Sequence, residues 1–339
     1  MTSLDNTTGA GNLAVAAMKA DEASFSTLHA AVLLGLVALI LAMPWFGVYP
    51  FVLSEVLCFA LFACSLNLML GFGGLLSFGH AAFFGLASYV SAYTAKSGLE
   101  TAGLPPFPPI LAILCGVAIA AALGLVAGAL AIRRQGIYFS MITLALAQMV
   151  YFFSLQAPFT GGENGIQAVP RGTLFGIVDL RSDLAVYYFT AAIFILGFLI
   201  IYRIVHSPFG QVLKAIRDNE PRAISLGYRT SQYKLLTFVL SAALAGLAGG
   251  TKAIVAQLAT LTDVHWGMSG EVILMTLVGG VGTIFGPVVG ACVIVAVQNY
   301  LNNLGSWVTI VQGTIFVICV LLFKEGIVGV LSRALKRPL

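Results

Sequence analysis

Three kinds of residue in this chain could do chemistry. Two runs are rich in glycine. Residues 71–85 read GFGGLLSFGHAAFFG and contain Gly73, Gly74, Ser77, Gly79 and His80; residues 279–290 read GGVGTIFGPVVG and contain Gly282 and Gly286. Glycine loops can cradle phosphate, but neither run ends in the Gly-Lys-Ser/Thr of a P-loop. The GLAGGTK of 246–252 comes no closer, because Lys252 follows Thr251 and no strand precedes the run. These runs argue against nucleotide binding by this chain. The second kind is polar side chains inside apolar stretches: Glu55, Asn67, Gln148, Glu271, Gln298 and Asn299. Groups of this type at membrane depth are costly and face a cavity or a partner. They form neither an Asp/Glu/His chain suited to proton relay nor a carboxylate cluster suited to sodium. The third kind is a charged stretch after Ser207, with Lys214, Arg217, Asp218, Glu220, Arg222, Arg229 and Lys234. It is longer than a simple connector needs, and it reads as a docking surface.

No enzyme constellation appears. His29, His80, His206 and His265 show no HxxxH or HExxH spacing, and no GxSxG is present. No catalytic residue, metal site or cofactor is expected. The five cysteines lie in apolar runs without a CxxC pair and read as small packing residues.

The elements that position these residues follow from composition. The chain has 339 residues, 59% hydrophobic and only 9% charged. A soluble domain carries about 25% charged residues, so a water-covered surface is excluded. The apolar runs do not alternate as barrel strands would. The fold class expected is all-α: a polytopic transmembrane helix bundle in a lipid bilayer. About ten spans fall near 28–47, 51–71, 77–94, 109–132, 137–156, 185–205, 233–253, 268–281, 284–303 and 307–323. The third begins in a glycine cluster and the eighth is short, so one or two broken or re-entrant helices are expected. A polar N-terminal tail occupies 1–27, the transmembrane bundle 28–323, and a basic C-terminal tail 324–339. With the 206–232 loop on the cytoplasmic side, thirteen of the seventeen Lys and Arg fall inside. Both termini are then cytoplasmic. The net charge of +4 speaks to loop placement, not to nucleic acid.

Glycines at membrane depth let helices approach closely, or let backbone leave the helix where a cavity supplies partners. Two readings of Ser77 and His80 follow: tight packing with His80 as an interior donor, or direct contact with a substrate in a pathway. The pathway candidates are Gly73, Gly74, Ser77, Gly79, His80, Asn67, Gln148, Glu271, Gly282 and Gly286. The 206–232 loop is expected to fold as a short helix along the membrane, closed by Gly227.

Several long motifs, in order, resemble one family. GFGGLLSFGHAAFFG, RRQGIYFSMITLALAQMVYFF, TGGENGI, SPFGQVLKAIRDNEPRAISLG, YKLLTFVLSAALAGLAGG and GGVGTIFGPVVGA look like permeases of the branched-chain amino acid ABC transporters, the LivM-type subunit more than its LivH-type partner. The likeness runs from about residue 50 to 323. It implies an importer subunit of a bacterial inner membrane, translocating leucine, isoleucine and valine. The implied partners are a second permease subunit, two cytoplasmic ATPase subunits and a periplasmic binding protein. The loop is similar to the ATPase-coupling loop of such permeases, implying that role for Lys214, Arg217, Asp218, Glu220, Arg222, Ala223, Leu226 and Gly227. Pro221 and Arg222 depart from the family's small residues. Urea or short amides remain open as substrates, since a close relative within the family handles them. An autonomous secondary carrier, or a scaffold without a pathway, stands as the competing class.

Overall fold

The computed structural model describes residues 33–96, 107–134, 136–174, 178–301, 305, 307–322 and 326–334. The tail expected over 1–27 lies outside them, as do 324–325 and 335–339. The chain divides into two units, Met1–Gly47 and Val48–Leu339. The first contributes one short apolar helix, α1 (Leu33–Phe46).

The second unit is a helical bundle. Its helices are α2 (Pro50–Asn67), α3 (His80–Lys96), α4 (Pro109–Ala131), α5 (Ile137–Gln156), α6 (Asp183–His206), α7 (Pro208–Asp218), α8 (Glu220–Ser225), α9 (Thr230–Ala256), α10 (Leu261–Val264), α11 (Trp266–Gly279), α12 (Gly286–Leu301), α13 (Trp307–Leu322) and α14 (Gly326–Ala334). Each of the ten expected spans has its helix. Five are long and apolar enough to cross a membrane: α2 with its continuation to Phe72, α4, α5, α6 and α9. The third span starts at His80, because residues 74–79 leave the helix. The eighth is the 14-residue α11.

α2, α3, α4 and α9 form the centre; α6 lies on α2, and α11 and α12 lie together on α2. Small residues set these approaches. A side chain at Gly249 would meet the Phe84 carbonyl, so α9 and α3 touch at the backbone. Lipid is as apolar as leucine, so close van der Waals contact, not escape from water, holds such helices together. The spanning helices are accordingly apolar all round. α7 differs: Gly210, Leu213 and Ile216 are buried while Gln211, Arg217 and Asp218 are exposed, the pattern of a helix lying at a water boundary.

Four two-residue strands and two 3-10 turns, Pro158–Thr160 and Gly162–Asn164, complete the described elements. β1 (Ile166–Gln167) pairs antiparallel with β4 (Leu258–Ala259), and β2 (Thr173–Leu174) with β3 (Val178–Asp179). Two features exceed the sequence reading. The loop expected to form one short helix forms two, α7 and α8. Part of the expected C-terminal tail is α14, which packs on α11 and α12 with Gly326 against Gly280.

Candidate functional site

The charged loop is built by successive helix caps. Ser207 caps α7, its hydroxyl accepting from the Gly210 amide at 3.4 Å. Asn219 caps α8, accepting from the Arg222 amide at 3.1 Å. Each cap satisfies an amide that the first helical turn leaves free. Pro208 and Pro221 fall in first turns, where a missing N–H costs nothing. Pro221 therefore leaves α8 intact.

α8 closes on Gly227. The Gly227 amide donates to Ile224 O at 2.9 Å and the Tyr228 amide to Ala223 O at 3.2 Å. This is a Schellman closure, and it holds Gly227 at φ +87°, where a β-carbon is strained. Glu220 Oε1 meets Lys234 Nζ of α9 at 2.6 Å, with those side chains 19% and 9% exposed. Ala223 is buried. Glu220 and Ala223 thus fasten α8 inward. Its outward surface is Arg222 with Ile224, Leu226 and Tyr228, the last three 56%, 70% and 40% exposed. Asp218 is exposed and holds Arg217 through Oδ1, at 3.0 Å from Nε and 2.9 Å from Nη2. Half-buried Lys214 lies 5.5 Å from the Phe72 ring centre. Burial, and then the charge of Arg217, lowers its pKa from the ordinary lysine value.

The two glycine runs meet at this same end of the bundle. α2 widens into a π turn over Leu68–Phe72 and stops. Gly73 follows, buried, and Gly74 lies against the Arg217 side chain at φ +67°. Asn67 is buried and spans to the second run: its Oδ1 accepts from the Gly282 amide at 2.9 Å, and its Nδ2 donates to Thr283 O at 2.7 Å. A β-carbon on Gly71 would fall 2.5 Å from the Gly282 nitrogen. The Gly286 amide, at the start of α12, donates to Thr283 Oγ1 at 3.1 Å.

The remaining pathway candidates are scattered. Ser77 is buried and accepts from the Gly79 amide at 3.1 Å. Gly79 lies against Thr143 and borders an apolar cavity of about 270 Å³ between α3, α4 and α5. His80 is fully buried, its Nε2 3.2 Å from both Ser65 Oγ and Ser241 Oγ and its ring stacked on Phe62. It ties α2, α3 and α9 together. Gln148 is half-buried on α5. Glu271 accepts from Gln298 Nε2 at 2.9 Å, linking α11 to α12, and Glu55 accepts from Asn299 Nδ2 at 3.4 Å, linking α2 to α12.

Sequence reasoning missed one strong pair. Lys252 Nζ lies 2.8 and 2.7 Å from the Asp263 carboxylate oxygens. Its signals were an isolated lysine in an apolar helix and the Thr-x-x-Asp of a capping box, which Thr260 and Asp263 form.

Fold and site together define a multi-pass helical membrane protein with two glycine-broken helices beside a structured charged loop. A profile of the branched-chain amino acid transport system permease component matches residues 48–320. The chain belongs to that family, and is thus an ABC permease subunit of a larger transport complex. It is 26% identical to the high-affinity branched-chain amino acid transport system permease protein LivM of Escherichia coli (strain K12), over 88% of this chain and 75% of the relative. The LivM of Salmonella typhimurium is 25% identical over the same shares. The ribose import permease protein RbsC of Bacillus subtilis is 28% identical over 77% of this chain and 84% of its own. No solved structure matches the chain.

Proposed function

We propose that this chain is one of two permease subunits of an ATP-driven importer in a bacterial inner membrane. It translocates branched-chain amino acids delivered by a periplasmic binding protein. The α7–α8 end faces the cytoplasm, as do both termini, and α8 docks an ATPase subunit. The observation that carries this reading is the two-sidedness of α8. Glu220 and Ala223 fix it to the bundle, while Arg222, Ile224, Leu226 and Tyr228 stand exposed for a partner. An apolar cluster rimmed by charge on a water-facing helix is the anatomy of a docking site. The excess of Lys and Arg on this side supports the orientation. The names of the LivM relatives support the substrate class.

The test is a pull-down of the tagged chain from native membranes, with Arg222→Glu as the variant. Two ATPase subunits and a second permease should co-purify, and the variant should lose the ATPases while keeping the second permease. A chain that purifies alone and transports in liposomes without ATP would make it a secondary carrier.

A further inference from the structure

The end of α2 is more than a break. Leu70 O still accepts from the Gly74 amide at 3.1 Å, but where the helix stops there is no further turn to supply amides to its last carbonyls. One of them, Gly71 O, accepts from Arg217 Nη1 at 2.6 Å. Lys214 sits over the adjoining Phe72, so two cations of α7 face the negative end of the α2 dipole. On the other side of the same turn, both polar atoms of the Asn67 amide are committed to the main chain of Gly282 and Thr283. Thr283 in turn donates to Gly280 O at 2.8 Å and accepts from the Gly286 amide. α7, the α2–α3 break and the α11–α12 break are therefore joined by hydrogen bonds at one point. Apolar contacts, such as those of Leu213 and Ile216, can slide. Hydrogen bonds to main-chain atoms fix register.

We infer that Arg217 and Asn67 are positioning residues of a single rigid joint, which delivers movement of the α7–α8 surface to both helix breaks at once. Asp218 serves it by holding the Nε–Nη2 edge of the Arg217 guanidinium, leaving Nη1 for Gly71. A lysine keeps the charge but not the planar fork. Arg217 thus acts inward, whereas Arg222 acts outward. The inference rests on the coupling role proposed for α8.

The experiment uses the complete reconstituted transporter and reads substrate moved per ATP hydrolysed. Arg217→Gln and Asn67→Asp should keep the ATPases bound and hydrolysing while that ratio falls about tenfold, with Arg217→Lys in between. A merely structural loss would lower both activities together, and an unchanged ratio overturns the joint. If instead no ATPase associates with the wild-type chain, the coupling reading fails, and the joint with it. A second measurement does not depend on the variants folding. Spin labels at Gln211→Cys and Val281→Cys should hold one distance in the nucleotide-free and vanadate-trapped states, while a Gln211→Cys and Tyr138→Cys pair changes. A change in the 211–281 distance, or no change in either, overturns the joint whatever the ratio shows.

Discussion

The two ends of α9 use the same device for different results. About one turn from each end stands a lysine, Lys234 and Lys252, and each meets a carboxylate on a short helix: Glu220 of α8 and Asp263 of α10. Each short helix carries its own side-chain cap, Asn219 in one case and Thr260 in the other. The outcomes diverge in what the helix then does. α10 is inserted, with Asp263 2% exposed, Val264 buried, and the helix packed against α3 and α5. α8 is displayed, with its anchors beneath and its apolar residues above. One tie plugs a bundle and the other presents a surface, and the difference lies in residues beside the ion pair.

That comparison can be broken at three points. The largest effect is expected for Asp263→Ala, which leaves Lys252 buried without a counter-charge. A loss of about 3–5 kcal/mol is the scale for breaking a buried pair, read from thermal unfolding of the solubilised chain. A loss under ~1 kcal/mol would show that α10 is held by packing alone. Glu220→Gln should cost less, about 1–3 kcal/mol, because solvent reaches the Glu220 carboxylate and the amide can still accept from Lys234. Its signature is faster amide exchange confined to α8, and loss spread through α9 would contradict a local anchor. The smallest effect on stability, within ~0.5 kcal/mol, belongs to Leu226→Asp on the displayed face. It should nonetheless weaken ATPase association, measured by co-purification, by tenfold or more; equal recovery would remove Leu226 from the contact.

The bundle was legible because long apolar runs form helices: each expected span became one, five of them long enough to cross a membrane, and the glycines at 71–79 foretold where one starts late. α8 was legible at its closing end, through Gly227, whose backbone demand is local, whereas Pro221 read as a departure from the family's small residues until the structure placed it in a first turn. α7 was not separated from it, because Asn219, the residue that divides them, reads as one more polar position until its capping role is seen. The joint itself left no trace. Arg217 and Asn67 meet main-chain atoms 146 and 215 residues away, and their targets are glycine runs of a kind common in membrane proteins. Nor did sequence pattern show that His80 would bind to Ser65 and Ser241, since serine in an apolar helix fits many neighbours.

The bidentate grip of Asn67 has a consequence for how this protein can be studied across its relatives. Gly282 and Thr283 contribute backbone atoms to that grip, and any residue able to hold the local backbone, which at Gly282 means φ +79°, offers the same N–H and carbonyl. Mutational drift at the receiving positions is therefore invisible to position 67, and paired substitutions between them carry no information. A contact map drawn from co-varying columns would leave blank the place where both breaks are fastened.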